Sequence, residues 1–435
     1  METPIREEFV KQAIEESNLK DVGRASIREL KKLINRIEEL SGQKFIRMEM
    51  GIPGLPAPRI AIDAEKAALD AGVASLYPDL DGLPILKNEI SRFVKNFLDV
   101  DISPRSCIPT VGSINGAYAT FMVAGRRDEK KDTVLLIDPG FPVHKQLIKM
   151  IGLKQENFDV YNFRGEKLKA KLESVLEKGN ISTILYSNPN NPSWICFNEE
   201  ELKIIGDMAN KYDVVIAEDL AYFAMDFRKD MSKPGVAPFQ STVAKYTDRY
   251  ILLISTSKSF SYAGQRVAMM AVSDKLFDTD YSDLTRFYPY PNFGHSIVHG
   301  TVYTTTAGTS HSAQYAVAAL LKAVNEGSYD FVKEIREYGE RAKILKKMFT
   351  DNGFKIVYDK DIDKPIADGF YFTISYPGFG GEDLLKELLQ YGISAIALSI
   401  TGSERTEGLR ACVSLIQRNQ FEVLADRLIK FNKNH

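Results

Sequence analysis

Along this chain the spacing of apolar residues changes character three times. Near the amino terminus, in "ASIRELKKLINRIEELSG", Ile27, Leu30, Ile34, Ile37 and Leu40 recur every three or four residues, which places them on one face of an amphipathic helix. From about residue 105 to 275 the apolar residues instead form short unbroken runs: "TVLLIDP" (133–139), "ISTILYSNP" (181–189), "DVVIAEDL" (213–220), "YILLISTS" (250–257) and "VAMMAVS" (267–273). Runs without alternation predict strands covered on both faces. Helical segments separate most of them, such as "NEEELKIIGDMANKY", opened by Asn198 as an N-cap with Glu201 three residues later. Strand–helix–strand repeats of this kind imply a mostly parallel sheet.

After residue 312 the pattern predicts a long helical stretch, "SAQYAVAALLKAVNEGSYDFVKEIREYGERAKILKKMFTDNG", stopping at Gly353. Beyond it, "FKIVYD", "FYFTISY", the helix "GEDLLKELLQYG", "ISAIALS", "LRACVSL" and a last helix predict a second, smaller α/β unit with a mixed sheet. The amphipathic amino-terminal helix is expected to pack on it. The expected fold is therefore α/β: a large domain, residues 51–324, with a mostly parallel central sheet covered by helices on both faces, and a smaller α/β domain from both chain ends, residues 1–50 and 325–435. There is no internal repeat and no low-complexity segment.

Composition narrows the function classes. A chain of 435 residues with 44% hydrophobic and 26% charged residues can bury a large core and suits two domains. Lysine and arginine total 56 against 58 acids, so no basic excess is available to neutralise phosphates, and nucleic acid is not an expected partner. The amino terminus lacks the apolar core of a signal peptide and no apolar run reaches the ~18 residues of a membrane span, so a cytoplasmic protein is expected. Cys107, Cys196 and Cys412 are odd in number and lack CxxC spacing, which suggests small buried hydrophobes rather than disulfides or a zinc site.

Four polar signals fall at the carboxyl ends of predicted strands, where open parallel sheets place their ligands. They are Asn191 in "SNPNNPS", Asp219 and Tyr222 in "EDLAY", Lys258 in "ISTSKSFSYAGQR", and Arg266 eight residues further. Taken singly, each has an ordinary reading: a turn, an N-cap, a surface amine, half of an ion pair.

Taken in order and at these intervals, they resemble the aspartate aminotransferase family, the class I/II aminotransferases within the fold-type I group of pyridoxal-phosphate enzymes. The resemblance extends over nearly the whole chain through "MEMGIPGLPAP" near residue 50, "LYPDLDGLPILKNEI" and "EGLRACVSL". It implies an enzyme, a transaminase that binds pyridoxal 5′-phosphate and exchanges an amino group between an L-amino acid and a 2-oxo acid in ping-pong order. It implies that Lys258 holds the cofactor as an imine and later moves a proton, a task that requires an unprotonated amine. Asp219 would keep the pyridine nitrogen protonated. His144 matches the position that hydrogen-bonds this carboxylate, although a lone histidine equally suits a structural role. Phe141 would stack on the cofactor but cannot donate a hydrogen bond. Asn191 and Tyr222 would bind the phenolic oxygen.

For the phosphate, "TVGSINGAYATFMVA" offers the backbone N–H groups of Gly112, Ser113 and Ile114 at a helix start, with Ser255, Ser257 and Arg266 completing the cup. By the same resemblance Arg410 would fork onto the substrate α-carboxylate, close to the Gly51 backbone, its plainer reading being a domain-closing salt bridge. Tyr77 would reach the phosphate of a neighbouring subunit, which implies a homodimer with shared sites and residues 295–310 near the interface.

The chain also departs from the pattern. Trp194 stands where the family usually has glycine. Residues 228–248 and 286–300 match no family segment and are expected at the pocket rim. Only Arg286 suggests itself for a second substrate carboxylate. The same fold would also serve a carbon–sulfur β-lyase, a decarboxylase, or a non-catalytic binding module.

Overall fold

The computed structural model describes residues 3–435. It divides into two compact units. The larger comprises residues 55–189 and 196–335; the smaller comprises the amino-terminal stretch through Gly54, the short segment Asn190–Ile195, and Arg336–His435. That short segment leaves the larger unit's chain for the smaller one, which strand patterning did not suggest.

The larger unit is built on a seven-stranded sheet: β1 (Cys107–Thr110), β2 (Thr133–Asp138), β3 (Lys154–Asp159), β4 (Ile181–Ser187), β5 (Val215–Leu220), β6 (Tyr250–Ser255) and β7 (Ala268–Val272), in spatial order β1-β7-β6-β5-β4-β2-β3. The run β6-β5-β4-β2-β3 is parallel, and β7 is antiparallel to both of its neighbours. The five predicted runs are all strands. The two strands that periodicity missed are the edges. β3 reads "KQENFD", polar because little covers it, and β1 is four residues long with a proline inside.

Because β4, β5 and β6 are parallel neighbours in register, Ser187 pairs with Asp219 and Leu220 pairs with Ile254, so their carboxyl ends share one sheet edge. The helix Glu199–Tyr212 between β4 and β5 carries the expected capping box, Asn198 with Glu201. Beneath the edge, Phe93, Phe97, Phe223, Phe260 and Phe331 form one aromatic cluster with ring centroids 4.8–6.5 Å apart. Gly327, at φ +71°, breaks the expected long helix into His311–Asn325 and Phe331–Asp351.

In the smaller unit, the strands Ile396–Ala397, Leu409–Cys412, Tyr371–Ser375 and Lys355–Ile356 form an antiparallel sheet in that order. The parallel pairing is separate: Ile46–Arg47 with Ile393–Ser394. With the antiparallel pair Lys360–Asp361 and Lys364–Pro365, the expected mixed sheet is thus three separate sheets among the described residues. The helix Ile27–Ser41, closed by a Ser26–Glu29 capping box, buries Leu30, Leu33, Ile34 and Ile37. Among the described residues no helix is long and apolar enough to cross a membrane.

Candidate active site

At the carboxyl edge of the large sheet, β5 ends at a buried acid and β6 at a turn carrying an amine. Asp219 is buried and accepts a hydrogen bond from the Ala221 N–H (3.1 Å). Burial pushes its carboxyl up to about 6, and the Lys258 charge pulls the other way. Lys258 lies half-buried on the one-turn helix Thr256–Ser259. That turn is fastened on both sides. The Ser257 N–H donates to Ser255 Oγ (3.1 Å), Thr256 Oγ1 donates to the Val267 carbonyl, and Ser259 Oγ donates to the Phe223 carbonyl (2.9 Å). The last bond ties the lysine turn to the segment carrying Tyr222, itself buried.

Phe141 opens the helix Pro142–Met150 and meets His144 edge-on, with ring centroids 5.6 Å apart. His144, Phe141, Ser187 and Asp219 line one small cavity. The expected hydrogen bond from His144 to Asp219 is not made: His144 Nδ1 is buried without a partner, and Asp219 is engaged by Ala221 instead. Burial, with Lys145 adjacent, pushes the imidazole down to about 4, so it is neutral near pH 7.

The phosphate candidates form a cradle. Gly112, at φ +74°, starts the helix Gly112–Ala124, and the guanidinium of Arg266 lies against it so closely that a Cβ at 112 would stand 2.4 Å from Nη2. The first N–H groups of that helix have no intrahelical acceptors. A cation beside such a helix start makes an anion site. Thr110 Oγ1 donates to the Gly112 carbonyl (3.1 Å) and the Val111 N–H donates to Asn115 Oδ1 (3.3 Å), which hold the turn. Ser113 and Ile114 follow in the first turn; Ser255 and Ser257 are buried on the lysine turn. Tyr77 stands apart, with 92% of its surface exposed.

The smaller unit holds a different set. Arg410 is 2% exposed, on the strand Leu409–Cys412. Its Nη2 donates to the Glu49 carbonyl (2.6 Å), Nη1 donates to Asn191 Oδ1 (3.4 Å), and its Cζ lies 4.5 Å from the centre of the Tyr371 ring. Nε has no partner, and the Glu49 carboxylate faces Arg47 and Ser394 rather than Arg410. The plainer reading, a salt bridge, is therefore not what the structure has. A Cβ on Gly51 would stand 2.1 Å from Tyr371 Oη, so any larger residue there would have to displace the tyrosine hydroxyl. Tyr371 escaped sequence reasoning because an aromatic inside a strand carries no local mark.

Arg286 is a surface residue paired with Glu129 (3.4 Å) and Asp283 (3.6 Å). Within residues 228–248, Thr242 Oγ1 (2.5 Å) and the Val243 N–H (3.1 Å) donate to the buried Glu218 carboxylate, which burial pushes up to about 7. Residues 286–300 include part of a π-helix, Ser296–Val302. The three cysteines are free and buried, and no group of residues suited to a metal occurs among the described residues.

Three comparisons bear on this arrangement. The family model described as aminotransferase class I and II matches residues 44–428. The chain is 26% identical to a probable aspartate aminotransferase of Methanocaldococcus jannaschii, over 82% of this chain and 85% of that protein. It is 27% identical to an aspartate aminotransferase of Pyrococcus horikoshii over 85% and 84%, and 30% identical to an LL-diaminopimelate aminotransferase of Aquifex aeolicus over 54% and 58%. In fold it resembles a Thermus thermophilus aspartate aminotransferase mutant (TM-score 0.74, 16% identity, covering 96% of this chain and 98% of that one). It also resembles a Thermotoga maritima aspartate aminotransferase (TM-score 0.73, 19% identity, 97% and 99%).

Proposed function

Because this chain belongs to the class I and II aminotransferase family and is a transaminase, we propose that it binds pyridoxal 5′-phosphate at Lys258 and moves an amino group between an L-amino acid and a 2-oxo acid in ping-pong order. The residues present fit that cofactor on three counts: a cationic cradle that a Cβ would fill at Gly112, a buried carboxylate with Lys258 acting on it, and an unpartnered imidazole nitrogen on the same small cavity. When bound, the group supplies an electrophilic carbonyl and a ring that withdraws electrons from the substrate α-carbon.

This chain's residues supply the rest. Lys258 is the covalent anchor and, once displaced by substrate, the base that takes the α-proton. Asp219, already costly to ionise in its buried place, is stabilised as an anion by a protonated ring nitrogen and in turn holds that proton. Tyr222 would donate to the phenolic oxygen, and Phe141 would cover the ring face. The N–H groups of Gly112, Ser113 and Ile114 bind the phosphate with Ser255, Ser257 and Arg266. His144 lines the cavity that Asp219 also lines and makes no hydrogen bond to it. Arg410 takes the α-carboxylate beside Gly51. Exposed Tyr77 serves a second copy of the chain in a homodimer.

The observation that carries this reading is the meeting of a buried acid and an amine at the ends of adjacent parallel strands. The substrates that name the aspartate and LL-diaminopimelate relatives both have an α-amino-acid end and differ beyond it in chain length and in a second amino group, so the proposal extends to that end and no further. The test is spectroscopic. Purified protein supplied with the cofactor should absorb in the visible, and one L-amino acid of a broad panel should shift that band with release of its 2-oxo acid. No shift with any donor, or release of ammonia without an acceptor, would overturn it.

A further inference from the structure

Trp194 is the chain's single tryptophan and stands at φ +65°, a left-handed backbone that suits glycine and is costly for a bulky side chain. Its indole is nonetheless fully buried within the smaller unit. The backbone of Gly369 lies flat on it: a Cβ at 369 would stand 1.9 Å from Cε2 and 2.2 Å from Nε1. An edge of the indole meets Tyr371, with ring centroids 6.1 Å apart at 67°, and Tyr371 in turn lies under Arg410. Trp194 also closes the turn that presents Asn191. Its N–H donates to the Asn190 carbonyl (2.9 Å), and Asn190 Oδ1 accepts from the Ser193 N–H (3.1 Å) and hydroxyl (2.6 Å).

One route therefore leads from the indole to the guanidinium, through Tyr371, while the turn that presents Asn191 is closed by bonds of the main chain and of Ser193. Among the described residues Arg410 has no carboxylate to orient it, so its pose depends on the Glu49 carbonyl, the Asn191 amide and the Tyr371 face. We propose that Trp194 is a positioning residue for the substrate carboxylate: its indole holds Tyr371 so that the Arg410 guanidinium keeps the single orientation in which an α-carboxylate can complete it. Glycine at 194 would relax the backbone and keep its N–H bond to Asn190, but would lose the packing on Tyr371. The inference rests on the reading of Arg410 given above.

Steady-state kinetics of the cofactor-loaded enzyme separate the two. Trp194→Gly should raise KM for both amino donor and 2-oxo acid by about tenfold, with kcat changed less than about twofold and the visible band unaltered. Trp194→Phe should restore most of the loss. The half-reaction of a primary amine lacking an α-carboxylate should not change. Because Trp194 is the only tryptophan, its emission gives a second readout: propionate should shift it saturably in the wild type but not in Arg410→Lys, and chloride at equal ionic strength should not.

If Arg410→Lys raises KM and Trp194→Gly does not, this inference alone falls. If Arg410→Lys leaves KM unchanged, the Arg410 reading falls with it. Equal losses with carboxylate and carboxylate-free amines, or emission indifferent to propionate, would also overturn the inference. Should the glycine variant not fold, Tyr371→Leu against Tyr371→Phe tests the same chain of contacts, with KM raised only in the first.

Discussion

The carboxyl edge of β5 and β6 and the strand that carries Arg410 each bury a charge, and they treat it in opposite ways. Asp219 has an internal cation acting on it, Lys258, and a backbone donor, yet burial still pushes its carboxyl up to about 6. Arg410 has no anion beside it among the described residues, only a carbonyl, an amide and an aromatic face, with Nε left without a partner there. The first is a buried acid on which an internal cation acts. The second is a fixed charge whose complement must come from a ligand, because an unpaired buried ion is otherwise a large cost. On the proposed function, chemistry belongs to the first region and recognition to the second.

The largest test of that division is Lys258→Ala. Turnover should fall by about 10⁴-fold or more and the visible band of the loaded enzyme should be lost, while far-ultraviolet circular dichroism stays unchanged. Asp219→Ala comes next: a fall of about 10²-fold or more in kcat with weaker cofactor retention, read by single-turnover kinetics and dialysis.

The same carboxylate predicts a pH effect in the cofactor-free protein. Its folded value, about 6, exceeds its ordinary 3.8, so the native state holds the proton more tightly than the unfolded chain. Its stabilising contribution is full below about pH 4 and is lost as pH rises to about 6. Urea titrations should show Asp219→Asn removing up to about 3 kcal/mol of that decline. The difference between variant and wild type should vanish at low pH; a difference growing toward acid would refute the sign.

Arg410→Met should raise KM for carboxylate substrates by about 10²-fold, yet change folding stability by less than about 1 kcal/mol, since it removes a buried charge that lacks a counter-ion. A severe loss of stability would mean the guanidinium is structural after all. The smallest effect is Gly112→Ala, where the new Cβ meets the Arg266 guanidinium at φ +74°. Stability should fall by about 1 kcal/mol and phosphate affinity by about tenfold, measured by thermal melts and cofactor titration.

The central strands could be read along the chain because burial on both faces leaves no room for polar residues in them, and the edge strands could not because nothing demands that they be apolar. "SNPNNPS", "EDLAY" and "STSKSFSYAGQR" were legible for a similar reason: each interrupts an apolar run with groups that a buried strand end does not need for folding. His144 shows the limit. Its place near Asp219 was foreseen, but the structure leaves Nδ1 unpartnered and gives the Asp219 bond to Ala221.

By itself, then, the amino-acid sequence determined the parallel core, the ends at which that core stops, and the residues of Lys258, Asp219 and Arg266, because short-range spacing and burial periodicity act within a few neighbouring positions. Tertiary structure alone decided that Arg410 lacks a carboxylate, that Tyr371 lies beneath it, and that Asn190–Ile195 joins the smaller unit through a buried indole packed on Gly369. Those contacts join residues far apart in the chain, and a packing contact between distant residues leaves no period or motif in the sequence.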